Sequence, residues 1–316
     1  MAHFLPRPVP SDPLAASDPG PALSTHGLTR DYGRGTGVFD VGLVVPRGCV
    51  YGLVGPNGAG KTTLLSLING LRRADSGEVV FGVPAHRVAV CTDVPEFEPW
   101  LGAEEAVELA GRLVNPDLRP ENVKNALHRA GLVEAADRRV GSFSRGMTQR
   151  LGLAAALVGE PDLMILDEPT SALDPRGRAE VLDLVAGMRG RTTVVFSSHI
   201  LADVQRVCDH VGVLRAGRLL YQGPVAELVA EHVRPTWLIR LRDDGAALCR
   251  TFAAEDWVVR VSSVRPGLVR VHARTVEDGE RHILGVLDRS GARVISVGPE
   301  ESDLESAFLS ITGAAR

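Results

Sequence analysis

The apolar residues of this chain fall into two kinds of pattern. Short unbroken runs at Val50–Val54, Leu163–Leu166 and 193–196 predict strands that are buried on both faces, as in a parallel sheet. Runs with apolar residues three and four positions apart predict a helix directly after the first strand and another, at 147–158, before the second. Strands that alternate with helices in this way indicate an α/β fold.

Three polar side chains that can carry chemistry follow these strands. Asp167 and Glu168 come directly after Leu163–Leu166, and His199 follows the strand at 193–196 after two serines. Because α/β sheets bind ligands at the carboxyl ends of their parallel strands, we expect the three side chains to meet at one sheet edge. A carboxylate placed there can hold a metal ion or take a proton as a general base.

A glycine-rich segment follows the first strand and fits the phosphate-loop pattern G-x-x-x-x-G-K-[ST]. Glycines let backbone N–H groups point at a phosphate, and the N-terminus of the next helix favours the same anion. In this motif Lys61 reaches the β- and γ-phosphates, while Thr62 and Asp167 hold Mg²⁺. The residues expected to bind nucleotide are Gly55, Pro56, Asn57, Gly58, Ala59, Gly60, Lys61, Thr62 and Thr63.

These motifs, taken in order, resemble the nucleotide-binding subunit of an ATP-binding cassette (ABC) transporter, and the resemblance covers residues 23–231. The run 143–147, Phe-Ser-Arg-Gly-Met, is similar to the family's signature loop. Its form resembles the variants of the drug- and antibiotic-export branch. The resemblance implies an α/β phosphate-loop NTPase of the ABC type, with an antiparallel β subdomain and a helical subdomain. It also implies ATP and Mg²⁺ as ligands.

The resemblance assigns roles to the site residues. Glu168 corresponds to the residue that polarises the attacking water, and His199 to a histidine that touches the γ-phosphate. Ser144 and Gly146 correspond to residues that contact the γ-phosphate of ATP held by a partner subunit. A plain helix cap is the alternative role for Ser144, and the two roles are compatible because a capped helix start also attracts anions.

Two further segments take expectations from the resemblance. Tyr32, which precedes Lys61 by 29 residues, resembles the aromatic residue that stacks on adenine. Local packing at a strand end is the alternative for this tyrosine. Residues 171–174, Ser-Ala-Leu-Asp, resemble the D-loop, which lines the dimer interface and links the two nucleotide sites of the family.

The chain departs from the family pattern at Asp93. The family has a glutamine at the end of the strand that leads into the helical subdomain, but no glutamine occurs between Lys61 and Gln149. Asp93 takes that position, and its shorter, charged side chain can still approach Mg²⁺. We therefore expect Asp93 to be a catalytic and metal-site residue that alters turnover and leaves ATP binding intact. The alternative is a loop that acts only as a hinge.

Composition limits the possible partners and compartment. The net charge of −4 and the isoelectric point of about 6.2 give no basic field for nucleic acid. The four cysteines are scattered without metal-ligand spacing, which favours reduced thiols in the cytoplasm. No run approaches 18 uninterrupted apolar residues, so we expect no membrane span. If the chain is part of a transporter, its pore is a separate permease subunit.

The 316 residues suit two domains. Residues 1–22, with six prolines, predict a disordered tail, and 23–232 predict the ATPase domain. That domain should have an antiparallel β-rich part up to about residue 85 and a helical subdomain at 95–158. The helical patterns are 104–113, 121–130 and 147–158. The resemblance implies a groove near 95–103 that contacts the permease, with Phe97, Trp100 and Leu101 as candidates to line it. Ordinary packing is the alternative role for these three residues.

The remaining residues, 235–316, predict a small α+β domain. Their β-α-β-β-α-β order suggests a ferredoxin-like unit. A final helix at 304–311 is similar to the C-terminal segment of many drug-export ATPases.

The sequence thus predicts the ATP-hydrolysing subunit of an ABC exporter for a drug, antibiotic or lipid-like substrate. It would work as a dimer with a second copy or a paralogous subunit, on the cytoplasmic face of the membrane and attached through the permease. One alternative is an ABC-type ATP-binding protein without a transporter. Another, motivated by Asp93, is a regulatory nucleotide-binding subunit with low turnover.

Overall fold

The structure is a computed structural model, and it describes residues 20–232, 235–300 and 304–312. The predicted tail at 1–22 lies outside the described residues except for its last three positions. The strands are β1 (Leu23–Asp31), β2 (Gly37–Val41), β3 (Val44–Val45), β4 (Val50–Val54), β5 (Ser76–Phe81), β6 (Val88–Cys91), β7 (Leu163–Leu166), β8 (Thr193–Ser198), β9 (His210–Arg215), β10 (Arg218–Pro224), β11 (Thr236–Leu241), β12 (Val258–Arg265), β13 (Leu268–Ala273) and β14 (Val294–Pro299). The helices are α1 (Lys61–Ile68), α2 (Ala103–Val114), α3 (Pro120–Arg129), α4 (Arg145–Leu157), α5 (Pro175–Ala186), α6 (Leu201–Val207), α7 (Val225–His232), α8 (Ala246–Ala253), α9 (Val276–Ser290) and α10 (Leu304–Thr312).

A six-stranded sheet in the order β10-β9-β4-β8-β7-β6 carries the predicted site. Its neighbouring strands are parallel except for the β9–β10 hairpin. Strands β4, β7 and β8 are buried along their whole length, which explains why their sequences are unbroken apolar runs. The predicted α/β fold is confirmed. Because β7 and β8 are neighbours, their carboxyl ends lie side by side, as expected for Asp167 and His199.

A second sheet joins β1 to β2, β3 and β5, and all of its pairs are antiparallel. It corresponds to the antiparallel part predicted for the first 60 or so residues of the ATPase domain. The buried residues of this sheet share one core with α1, the helix that follows the phosphate loop. The second sheet therefore supports the helix on which Lys61 and Thr62 lie.

The helical region contains α2, α3 and α4 at the three places where apolar spacing predicts helices. Helix α4 begins at Arg145 because Ser144 caps it, with its hydroxyl oxygen accepting a hydrogen bond from the Met147 N–H at 3.3 Å. Phe97 and Leu101 pack against the core, whereas Trp100 is 64% exposed. Of the three side chains expected to line a groove, Trp100 is thus the one that faces solvent.

The C-terminal sheet has the order β12-β13-β11-β14 and is antiparallel throughout. Its elements follow the predicted β-α-β-β-α-β sequence, and this strand order is that of a split β-α-β unit. Helices α8 and α9 pack with the sheet around a core that is separate from the ATPase core. This core includes Trp237, Phe252, Trp257, Val271 and Ile283.

The last helix, α10, packs on the ATPase domain. It contacts α6 and α7, and its Leu304 and Ala307 side chains belong to the ATPase core. The Leu304 N–H donates a hydrogen bond to Gln205 Oε1 at 2.8 Å. The boundaries of the two domains stay predictions, but the chain returns to the ATPase core after the C-terminal sheet. Helix α10 therefore follows the C-terminal sheet in the chain but packs on the ATPase domain.

We expect Leu304→Ala to lower the free energy of unfolding by about 2–4 kcal/mol, because it removes a fully buried side chain and leaves a cavity. Leu309→Ala, on the same helix but 38% exposed, is the matched control and should cost less than about 1 kcal/mol. Urea unfolding of the full chain measures both values. Equal values for the two variants would show that α10 is not packed as described.

Candidate functional site

The phosphate loop lies between β4 and α1, and its backbone conformation explains its glycines. Gly58 and Gly60 have φ angles of 79° and 104°, in the left-handed region that disfavours other residues. A side chain at Gly55 would collide with the carbonyl oxygen of Leu214. Lys61 is buried, and its Nζ donates a hydrogen bond to the Gly55 carbonyl at 2.8 Å. The loop thus surrounds a buried ammonium group with backbone.

Three of the predicted residues meet at this loop. Lys61 Nζ lies 3.4 Å from Glu168 Oε1, and His199 Nδ1 lies 2.9 Å from Glu168 Oε2. Glu168 has a φ of 45°, a left-handed conformation that is uncommon for a residue with a side chain. The carboxylate of Glu168 therefore lies between a lysine from the phosphate loop and a histidine from the end of β8.

Ser197 is a site residue that the motifs do not reveal. It is fully buried near the end of β8, and its hydroxyl donates to Asp167 Oδ1 at 2.6 Å. The same hydroxyl oxygen accepts a hydrogen bond from the Glu168 N–H at 2.9 Å. One side chain thereby fixes both carboxylate residues at the end of β7. The available sequence signal is a serine at the end of an otherwise apolar strand, next to the carboxylates.

Asp167 is a buried carboxyl with an altered pKa. Burial raises its pKa, hydrogen bonds from Ser197 and Thr62 oppose the rise, and the charges of Asp93 and Glu168 add to it. The environment therefore disfavours the ionised form of Asp167 as long as no cation is near.

Thr62, Asp93 and Asp167 line one pocket of about 220 Å³ between α1 and the end of β6. Asp93 Oδ1 accepts a hydrogen bond from the Ser171 hydroxyl at 2.8 Å. All three residues predicted to contact a metal ion thus come together in the structure. The Ser171 contact further links Asp93 to the segment that resembles the D-loop.

Tyr32 is partly exposed, with 42% of its surface accessible. The guanidinium groups of Arg30 and Arg72 lie 5.2 and 5.7 Å from its ring centre, and Arg72 donates a hydrogen bond to the Tyr32 hydroxyl. These arginines compete with an adenine base for the faces of the ring. The stacking role of Tyr32 stays a prediction.

Ser144 and Gly146 lie at the start of α4. Gly146 faces Leu173 and Ala172, so the signature-like loop is next to the D-loop-like segment. Within the described parts of the chain, no hydrogen bond or ion pair connects these two residues to Lys61 or Glu168. Ser144 acts as a helix cap, which is the simpler of its two roles. Its contact with a partner's ATP stays a prediction.

The raised pKa of Asp167 predicts how the stability of the protein depends on pH, and this is tested on nucleotide-free protein in EDTA. The pKa of Asp167 is higher in the folded protein than in the unfolded chain. At a pH above both pKa values, the ionised carboxylate therefore lowers the stability of the fold, whereas at a pH below both values the protonated group does not. Asp167→Asn should therefore be more stable than the wild type at pH 8, and this difference should shrink toward about pH 4.

Asp162→Asn is the control with the opposite sign. The Arg87 hydrogen bond lowers the pKa of Asp162, so its ionised form contributes stability that is lost as pH falls through the folded-state pKa. This variant should be slightly less stable than the wild type at pH 8. Urea unfolding at the two pH values measures both effects, and loss of stability in Asp167→Asn at pH 8 would contradict the analysis of the site.

Comparison with known proteins shows the family of the chain. Among described residues, no helix has the length and apolar character of a membrane span. Residues 38–171 match the family model described as ABC transporter. The bacitracin transport ATP-binding protein BcrA of Bacillus licheniformis is 32% identical, over 92% of this chain and 97% of that protein. The daunorubicin/doxorubicin resistance ATP-binding protein DrrA of Streptomyces peucetius is also 32% identical, over 94% of each chain.

A solved structure of an ATP-binding subunit of an ABC transporter matches this chain with a TM-score of 0.60 and 27% sequence identity. The matched region covers 66% of this chain and 92% of the solved chain. The fold, the site geometry and these relatives lead to one assignment. The chain belongs to the family of ABC transporter ATP-binding subunits.

Proposed function

We propose that this chain is the ATP-hydrolysing subunit of an ABC exporter, which acts as a dimer on a separate membrane permease. The observation that carries the proposal is the position of Glu168, whose two carboxylate oxygens lie 3.4 Å from Lys61 Nζ and 2.9 Å from His199 Nδ1. A lysine from a phosphate loop, a carboxylate and a histidine are thus within reach of one another. They suit a reaction at the terminal phosphate of a nucleotide.

In this proposal the phosphate loop and Lys61 bind the triphosphate. The ammonium group is buried and has one carboxylate near it, so a phosphate with more negative charge competes well for it. The N–H groups at the start of α1 favour the same anion. Residues 55–63 supply these contacts, and Tyr32 supplies a ring for the base.

The residues at the pocket between α1 and β6 fit Mg²⁺. Thr62 and Asp167 offer oxygen ligands, and Asp93 adds a second carboxylate beside them. Mg²⁺ is typically held by one or two carboxylates together with substrate phosphates, and it neutralises the charge that develops during phosphoryl transfer. A cation near Asp167 would also stabilise the ionised carboxylate that burial disfavours.

Glu168 is the proposed general base. Ser197 accepts a hydrogen bond from its backbone N–H, and His199 contacts one oxygen of its carboxylate. The other oxygen lies 3.4 Å from Lys61 Nζ, and it would become available to a water molecule when Lys61 binds the phosphate. The left-handed backbone of Glu168 costs free energy, and such strain persists where surrounding contacts fix a functional side chain. His199 is also a candidate to contact the γ-phosphate.

The position of Ser144 and Gly146 outside their own chain's Lys61–Glu168 cluster is consistent with the proposed dimer. At the N-terminus of α4 they could instead contact the ATP of a second copy or of a paralogous subunit. ATP would then add interface contacts that exist only in the closed dimer, and hydrolysis would remove them. Relatives named for bacitracin transport and for daunorubicin resistance support an antibiotic or drug as the exported substrate.

We expect Glu168→Gln to bind ATP and to lower the ATPase rate by about 10²–10⁴, because the amide cannot accept a proton from water. ATP should therefore hold this variant as a dimer. Gel filtration with ATP and Mg²⁺, together with a phosphate-release assay, measures both effects. Glu134→Gln, at an exposed position of the helical region, is the control and should behave as the wild type. Glu168→Gln that binds ATP and stays monomeric would rule out the dimer scheme.

Asp93 is proposed to occupy the position of the family's glutamine and to alter the rate of ATP turnover. If so, Asp93→Gln and Asp93→Ala should each change the ATPase rate without changing ATP affinity, since phosphate binding rests on Lys61 and the loop. Ser171→Ala should change the rate in the same direction as Asp93→Ala, because the two residues share a hydrogen bond.

A double-mutant cycle tests the coupling between Asp93 and Ser171. Rate changes that simply add would show that the bond has no part in turnover. If Asp93→Gln and Asp93→Ala both matched the wild type, the loop would be a hinge only.

A further inference from the structure

Among the described residues, helices cover one face of the C-terminal sheet and leave the other face open. Helices α8 and α9 lie on the covered face, where Trp237, Ile239, Val269 and Val271 are buried. Because side chains alternate along a strand, the residues between these positions lie on the side away from the helices. None of the functions proposed above uses this side of the sheet.

Arginine dominates the open face, which is defined here by its four arginines, Arg240, Arg260, Arg265 and Arg270. Arg240 and Arg265 are the register partners of Leu268 on either side of β13. Arg260 is the register partner of His272. Leu268 and His272 come two residues before and after Arg270, so all four arginines share one side of the sheet. Arg270 is the diagonal neighbour of each of the other three arginines, at about 7–8 Å, and Arg240 and Arg265 are two strand spacings, or about 9.6 Å, apart.

The positive charge of the open face is largely uncompensated. Arg270 pairs with Glu300. The side chains of Arg240, Arg260 and Arg265 are exposed, and none of them forms an ion pair or hydrogen bond with another described residue. Arg270 Nε is a buried donor that has no acceptor among the described residues. The three charges that Glu300 does not compensate repel one another, in a chain whose net charge is −4. An anionic partner would remove this repulsion.

The chemistry of the face favours carboxylates on an extended chain. Planar guanidinium groups pair with carboxylates through two parallel hydrogen bonds. In an extended peptide every second side chain points the same way, so its carboxylates can be about 6.6 Å apart. Diagonal side chains on adjacent strands of the sheet are about 7–8 Å apart, which is a comparable spacing.

Nucleic acid suits the face less well. The described residues of the open face include no Phe, Tyr or Trp on which a base could stack. The same lack of aromatic anchors argues against insertion into a membrane interface.

We infer that the open face binds an acidic, extended polypeptide segment of a partner protein. The geometry and charge that carry this inference are independent of the nucleotide site. Loss of the interaction should therefore leave the ATPase rate unchanged, and a failed ATPase proposal would leave this one standing.

The test uses the full chain and a fluorescein-labelled twelve-residue peptide in which glutamate alternates with serine. Fluorescence anisotropy at about 0.15 M salt should show saturable binding that weakens as salt increases. Replacing Arg240, Arg260 and Arg265 together with glutamine should weaken binding at least about tenfold. The matched control replaces Arg250, Arg281 and Arg293, which lie outside the open face and are also exposed, with glutamine. It makes the same change in net charge and should bind as the wild type does.

Three results would overturn the inference. The peptide could fail to bind the wild type, or the two triple variants could lose the same affinity, which would indicate a nonspecific charge effect. Finally, phosphatidylglycerol vesicles or a thymidine oligonucleotide could bind more tightly than the peptide and depend on the same three arginines. That result would assign the face to a membrane or to nucleic acid.

Discussion

The geometry of the candidate nucleotide site depends on the hydroxyl group of Ser197. This hydroxyl donates to the Asp167 carboxylate and accepts from the Glu168 N–H, so it joins the ends of two neighbouring parallel strands. The acceptor bond helps to offset the left-handed backbone of Glu168. Since His199 follows Ser197 by two residues, the same strand end also brings the histidine to the Glu168 carboxylate.

The candidate site combines one buried lysine with several carboxyl groups. Lys61 is a buried cation near the Glu168 carboxylate, and Asp167 is a buried carboxyl with a raised pKa. Asp93 adds a further negative group where the ABC family resemblance leads us to expect a neutral glutamine. The site therefore holds an excess of carboxylates in the absence of ligands. In the proposed function, a nucleotide bound with Mg²⁺ would supply both the anion for Lys61 and the cation for the carboxylates.

Much of this site could be predicted from the sequence because its motifs are local. The phosphate loop is one continuous segment, and the runs before Asp167 and His199 are long enough to identify β7 and β8. Other contacts could not be predicted, because they join residues that are far apart in the chain. The Ser171–Asp93 hydrogen bond spans 78 residues, and the Leu304–Gln205 hydrogen bond spans 99. The return of α10 to the ATPase core and the open arginine face depend on tertiary packing and strand register, which apolar spacing does not encode.

Ser197 is proposed to position Asp167 for a metal-bound nucleotide, and calorimetric titration of ATP with and without Mg²⁺ is the decisive measurement. Hydrogen bonds to charged groups contribute about 1.5–3 kcal/mol, so Ser197→Ala should reduce the gain in ATP affinity from Mg²⁺ at least about tenfold. ATP affinity without the metal should stay as in the wild type. Ser198→Ala is the control, because among the described residues the Ser198 hydroxyl forms hydrogen bonds only with the backbone of Ile200. An unchanged gain from Mg²⁺ in Ser197→Ala would contradict the account.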